Sequence, residues 1–182
     1  VIGEAEQLES DLVVITADNA SPMTFTGTRT YILGTENLIV IDPGPDSEAH
    51  LSSIMKYIGK RKVTDILLTH SHIDHSPLSR QLKIETGARI IGFGAADEAR
   101  TSFMKKLSSS LDLGGEEGID KDLALDKKVV DKQILELNNY SIEVVHTPGH
   151  LSNHICLAVK EKKALFSGDH VMGWATTLIS PP

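Results

Sequence analysis

Three imidazoles and a carboxylate crowd into one short stretch, Thr69-His70-Ser71-His72-Ile73-Asp74-His75. Neutral imidazole and carboxylate are ligands that suit zinc, and His70 and His72, at alternating positions, can converge on one ion while Asp74 and His75 turn toward a neighbouring one. The plain alternative is a solvated, histidine-rich turn. Against it stands Asp65-Ile66-Leu67-Leu68, which reads as a buried strand delivering the cluster to the carboxyl end of a sheet, where α/β proteins keep their sites.

Two later segments supply what this turn lacks. Val144-Val145-His146-Thr147-Pro148-Gly149-His150 is a short strand broken by Pro-Gly, which stops strand pairing and throws His150 out of the sheet. Ala164-Leu165-Phe166-Ser167-Gly168-Asp169-His170 is another buried strand ending in a small-residue turn, so Asp169 also emerges at a carboxyl end. Alone, His150 reads as a surface histidine and Asp169 as a turn aspartate. Together the strand ends offer His70, His72 and His150 for one ion, Asp74 and His75 for a second, and Asp169 as a carboxylate able to bridge the two.

These residues carry a resemblance. His70-x-His72-x-Asp74-His75, Thr147-Pro148-Gly149-His150 and Ser167-Gly168-Asp169 resemble, in order, the metal motifs of the metallo-β-lactamase superfamily, and Ile39-Val40-Ile41-Asp42-Pro43-Gly44 is similar to its early strand ending in aspartate and glycine. Asn19 to Thr24, Thr28 to Leu33 and Gly168 to Trp174 look like the lactamase-like branch that includes a mitochondrial endoribonuclease and is related to hydroxyacylglutathione hydrolases. The resemblance implies an α/β fold, the αββα sandwich of that superfamily, with the site at strand ends. It also implies two zinc ions, with iron or manganese as the other metals such sites take. Members carry a further histidine after the bridging aspartate. Here only His170 follows before Ser180-Pro181-Pro182, so residues 1–182 are expected to be the N-terminal, incomplete part of one such domain, with four ligands for the first ion and three for the second. Water fills a fourth position readily in zinc sites with three protein ligands.

Composition agrees with a single globular unit. At 182 residues and 40% hydrophobic the chain can bury a sizeable core. Its 18 basic and 25 acidic residues leave a net charge of −7, which argues against a broadly basic nucleic-acid surface or an anionic-membrane patch. Metal ions would offset that charge locally, leaving anionic substrates open. Cys156, the only cysteine, lies in the apolar run Ile155 to Val159 and reads as a buried, inert thiol. One cysteine permits no internal disulfide, and no signal peptide or membrane-length apolar stretch is visible, so the expected location is cytoplasmic. A leader removed ahead of Val1 and the oligomeric state are left open.

The elements that must position these groups alternate. Strands are expected at Leu12 to Thr16, Thr30 to Leu33, Leu38 to Ile41, Ala88 to Gly92, Ile134 to Leu137, Ser141 to Val145, Ile155 to Val159 and Ala164 to Ser167. Ser47 can cap a helix to about Tyr57, whose apolar face is Leu51, Ile54, Met55 and Ile58, with His50 on the surface. Pro77 to Thr86 reads as a helix ended by Gly87. Lys105 to Lys132, with Ser108-Ser109-Ser110, Gly114-Gly115 and Glu116-Glu117, suggests a mobile excursion flanked by short helices, of the kind that shapes a substrate entrance, the preferred reading being a solvated surface connection without distinctive chemistry. Its lysine pairs serve equally as phosphate contacts and as solubilising groups.

Several residues stand around the ligands. Asp42 can accept a proton from a ligand imidazole and fix its tautomer, against the simpler reading of an aspartate opening a turn. His146 packs along its strand. His154 either faces the cleft as a substrate or acid group or, the preferred reading, makes a structural hydrogen bond. Strand alternation turns His170 away from Asp169, although it remains a candidate for contact with metal or substrate. The expected chemistry is hydrolysis by a hydroxide bridging two metals, with Asp74 both ligand and orienter of the water. Substrates considered are a small-molecule ester or thioester, of the glutathione-thioester type, and single-stranded RNA. A non-enzymatic metal-binding unit is the remaining class. True β-lactamases are usually exported, and flavodiiron proteins need an acidic residue where His72 stands, which sets both lower.

Overall fold

The computed structural model describes residues 1–110 and 118–179. Among them the chain begins with an antiparallel run, β1 (Ala5–Glu9), β2 (Leu12–Thr16), β3 (Arg29–Leu33) and β4 (Asn37–Ile41). It then turns parallel through β5 (Lys62–Leu67), β6 (Arg89–Gly92) and the short β7 (Lys127–Lys128). Helix α1 (Glu48–Ile58) makes the crossover from β4 to β5, helix α2 (Leu78–Thr86) that from β5 to β6, and α3 (Ser102–Ser110) precedes β7. A second, antiparallel sheet follows, made of β8 (Ile134–Leu137), β9 (Tyr140–His146), β10 (Ile155–Val159) and β11 (Ala164–Phe166) in the order β11-β10-β9-β8.

Residue alternation explains the layers. Along the first sheet, Leu12, Leu33, Ile39, Ile41, Leu67 and Ile91 point one way and meet Leu135, Ile142, Val144, Leu157 and Phe166 of the second sheet. Their neighbours Val13, Ile15, Ile32, Leu38, Val40, Ile66 and Ile90 point the other way, onto Ile54 and Ile58 of α1 and Leu78 and Leu82 of α2. A strand covered on both faces reads as a continuous apolar run, which is why Leu38-Ile39-Val40-Ile41 has no polar member. Each such side chain contributes about 1.5 to 3 kcal/mol by leaving water. The architecture is therefore the α/β sandwich of the superfamily resemblance, seen here as helix, sheet and sheet. The second sheet's outward side carries Glu136 and Glu143 and leaves Ile134 and Leu165 more than half exposed.

Most expected elements end within a residue or two of the observed ones. Strand β1, like the two-residue β7, has no counterpart among the expected strands. All five residues of β1 are exposed, so its sequence carries no apolar alternation, and it forms only by pairing as an edge with β2. His50 is corrected from surface to core. It is 3% exposed, and its Nε2 lies 2.8 Å from Thr30 Oγ1. The reason lies in helical geometry, since residues 50, 54 and 58 stack at four-residue intervals on the buried face of α1. Burial lowers the His50 pKa to about 4. Ser47 caps the helix as expected, its Oγ accepting from the His50 N–H, and Gly59 ends it at φ 60.

Candidate metal centre

The parallel strands deliver the first donors. Beyond β5 the chain bends through residues 68–77 into α2, and this turn is fastened on two sides. Behind it, Asp42, just past β4 and 4% exposed, accepts from the Thr69 N–H at 2.8 Å and the Thr69 hydroxyl at 2.7 Å, and lies 3.0 Å from His75 Nδ1. In front of it, residues 118–120 run alongside. Ile73 N–H donates to Gly118 O at 2.8 Å, and Asp120 N–H donates to Ser71 O at 2.8 Å. The Asp120 carboxylate, nearly buried, accepts from Ser76 Oγ and Arg80 Nη1, both at 2.8 Å. The segment expected to lack distinctive chemistry thus holds the histidine turn at its end. Gly114-Gly115 and Glu116-Glu117 lie outside the described residues.

The second sheet supplies the other donors. The Pro148-Gly149 break after β9 places His150, 5% exposed, where its Nε2 lies 2.8 Å from His72 Nδ1. His70 Nε2 approaches the same His72 nitrogen at 3.1 Å. The turn after β11 brings Asp169 between the two groups, with Oδ2 3.3 Å from His150 Nε2 and Oδ1 3.3 Å from His75 Nε2. Asp74 Oδ2 is 3.4 Å from His75 Nε2 and accepts from Thr28 Oγ1 at 3.1 Å. Two donor sets result, each with ligand atoms within 4.8 Å of one another: His70, His72, His150 and Asp169, then Asp74, His75 and Asp169. All six ligand candidates named from the sequence fall into these sets, and Asp169 belongs to both.

The supporting residues divide. His154 is fully buried, and its Nε2 accepts from the Asp169 backbone N–H at 3.2 Å while Nδ1 lies 2.8 Å from Thr147 Oγ1. Nε2 must be unprotonated to accept, so Nδ1 carries the hydrogen and donates it to Thr147. His154 is therefore a structural hydrogen-bonding group that positions Asp169. Gly168, at φ 48, fits beneath it, since a Cβ there would stand 2.6 Å from His154 Nε2 and 2.7 Å from Thr69 Oγ1. His170 is exposed and belongs to neither donor set. His146 stacks on Phe93 with ring centroids 4.1 Å apart and lies 2.9 Å from Ser152 O, away from the donors. Cys156 is buried, and burial pushes its thiol up, as expected of an inert cysteine.

Electrostatics test whether a cation suits this place. Burial lowers the pKa of His70 far below its ordinary value and that of His72 to about 4, with neighbouring imidazoles adding to both, so each is a neutral donor. Burial also lowers His154 to about 3. Burial alone would raise Asp169, but hydrogen bonds from His150 and His75 hold it well below the carboxylate range. Asp74 is lowered in the same way, burial being outweighed by His75. Around His75, burial is overcome by Asp169, Asp42 and Asp74, which raise its pKa well above the usual imidazole value. Three carboxylates thus converge where a positive charge is required. Neutral imidazoles and ionised carboxylates in these sets fit divalent ions of the zinc type.

Comparison with known proteins agrees with this geometry. Residues 23–182 match the family model of the Metallo-beta-lactamase superfamily. A Beta-lactamase-like protein 2 homolog of Drosophila melanogaster is 32% identical over 183 residues, covering 98% of this chain and 58% of that protein. An atrochrysone carboxyl ACP thioesterase of Aspergillus terreus is 27% identical over 181 residues, covering 98% of this chain and 49% of that protein. The crystal structure of a metallo-beta-lactamase family protein from Thermus thermophilus shares the fold, with a TM-score of 0.72 at 20% identity over 95% of this chain and 64% of that one. The chain spans about half the length of the curated relatives it matches.

Proposed function

We infer, from the premise that this chain belongs to the Metallo-beta-lactamase superfamily, that it carries the metal-binding half of a hydrolase acting on small esters or thioesters. The observation that carries the reading is the pair of donor sets sharing Asp169, with Asp74, His75 and Asp169 lining a cleft. His70, His72, His150 and Asp169 would hold one zinc ion, and Asp74, His75 and Asp169 a second. When bound, such ions supply Lewis acidity toward a carbonyl oxygen and a water acidic enough to attack it near neutral pH.

The chain's own groups do the rest. Asp42 receives the Nδ1 hydrogen of His75 and so directs the Nε2 lone pair toward the second set, which fixes the tautomer and raises the basicity of that nitrogen. Thr69, bonded to Asp42 and 2.9 Å from His70 Nδ1, performs the same office for His70. The hydroxyl of Thr69 donates to Asp42, so it accepts the hydrogen of His70 Nδ1 and leaves Nε2 facing the first set. Asp74, quarter-exposed at the cleft and anchored by Thr28, orients the attacking water and takes its proton. The thioesterase among the relatives supports a thioester substrate.

The test is hydrolysis of an S-acyl glutathione by the zinc-loaded chain beside a labelled single-stranded RNA, with Asp74→Ala as control. Thioester cleavage lost in the variant is expected. RNA cleavage without thioester cleavage would transfer the reading to a nuclease, and no turnover at full metal loading would leave a non-enzymatic metal-binding unit.

A further inference from the structure

The cleft that opens onto Asp74, His75 and Asp169 has a second wall that takes no part in holding a metal. Its volume is about 550 Å³, and Met23, Phe25, Val171, Met172 and Trp174 line that side. Phe25 is 58% exposed and Trp174 43%, yet their rings stack with centroids 5.4 Å apart and 16° between planes. Large apolar groups gathered and left open beside a site mark a contact surface.

The wall is built rather than incidental. Phe25 sits at φ 55, a left-handed conformation that is rare for a bulky residue and gathers at ligand clamps. Its backbone is held there by Phe25 N–H donating to Ser21 O at 2.8 Å, while Ser21 Oγ accepts from the N–H groups of Met23 and Thr24 at 3.1 Å each. Gly27 closes the loop at φ 124, where a Cβ would stand 2.1 Å from Ala17 O, so no other residue fits. The next residue, Thr28, is bonded to Asn19 on one side and Asp74 on the other. The loop that presents the Phe25 ring is thus continuous with the group that anchors Asp74.

We propose that the stacked Phe25–Trp174 pair seats the apolar acyl group of the substrate, so that medium-chain or aromatic acyl esters and thioesters are preferred over acetyl-sized ones. This rests on the hydrolase reading above and adds the substrate's shape to it. Charge favours an acyl group over a polynucleotide. Among the described residues lining the cleft, Arg29 is the one Lys or Arg, and three aspartates, Asp42, Asp74 and Asp169, share that lining, whereas single-stranded nucleic acid needs a basic groove tracking several phosphates.

Trp174 is the chain's only tryptophan, so its fluorescence reports on this wall without any turnover. The zinc-loaded chain is titrated with acetate, hexanoate and decanoate as unreactive acyl probes, and with a single-stranded oligoribonucleotide. A saturable change in emission is expected with the longer carboxylates, tightening about tenfold for every two methylenes. Phe25→Gly, which keeps the left-handed backbone free of strain, is expected to weaken decanoate about tenfold while metal stoichiometry stays the same. Equal or absent responses along the series, or a response to the oligoribonucleotide without one to decanoate, would overturn the proposal. S-acyl glutathiones of the same chain lengths separate the two readings. Chain-length-dependent binding without turnover sinks the hydrolase and keeps the seat, whereas turnover indifferent to chain length, with no change in emission, does the opposite.

Discussion

The first sheet is sealed between α1 and α2 on one face and the second sheet on the other, whereas the second sheet is sealed on one face and exposes Ile134 and Leu165 on its other. The candidate site draws its donors from both. The turn carrying His70, His72, Asp74 and His75 is locked by two buried carboxylates, Asp42 and Asp120, each accepting several hydrogen bonds. The loops carrying His150 and Asp169 are held chiefly through backbone groups: His150 Nδ1 lies 2.6 Å from Leu178 O, the Asp169 N–H donates to His154 Nε2, and Thr177 Oγ1 donates to the Asp169 carbonyl at 3.0 Å. Damage behind the first half therefore costs folding as well as metal binding. Damage behind the second half acts mainly on the geometry of the site.

The sharpest way to break this contrast is Asp42→Ala, which strands the Thr69 N–H and His75 in the interior. The expected loss is about 3 to 5 kcal/mol in urea unfolding, with metal affinity down about 10- to 100-fold. Next in size comes His50, which belongs to the first half. Its folded pKa of about 4 lies below the unfolded value near 6.5, so the unfolded chain binds the extra proton. The stability His50 confers is complete above about pH 6.5 and is lost as pH falls toward 4, by about 3 kcal/mol. In unfolding curves across that window, His50→Gln should show a shallower slope than the wild type by about that amount. Equal slopes would remove His50 from the account.

Two substitutions probe the second half. Gly168→Ala must push a methyl group against His154 and Thr69 at a positive φ, and is expected to cost about 2 kcal/mol in thermal unfolding and to displace Asp169. His154→Leu removes the acceptor of the Asp169 N–H and should cost about 1 to 2 kcal/mol, with bound metal reduced more than stability suggests. His154→Gln, which retains an acceptor, should recover part of the metal binding. A loss of stability in His154→Leu as large as that of Asp42→Ala would erase the distinction between the halves.

Legibility followed the same division between local and non-local causes. The turn after β5, the Pro-Gly break after β9 and the small-residue turn after β11 announce themselves because each is a short motif following an apolar run. Asp120 was missed because its role depends on the chain returning to Ser76 and Arg80 after α3, and no periodicity around it signals that return. His50 could have been found by extending the buried face of α1 one turn back from Ile54. His154 reads from sequence as a hydrogen-bonding residue, but its partner, a backbone N–H on another strand's end, leaves no mark there. The edge strand β1 is exposed throughout and so carries no burial pattern to read.

The measurement closest to the central claim is zinc stoichiometry by elemental analysis of the chain purified without chelator, beside His72→Ala, Asp74→Ala and Asp169→Ala. Two ions in the wild type are expected, with one lost in His72→Ala, one in Asp74→Ala and both weakened in Asp169→Ala, because that carboxylate belongs to both donor sets. A single ion indifferent to Asp74→Ala, or two ions that survive Asp169→Ala, would contradict a shared binuclear centre.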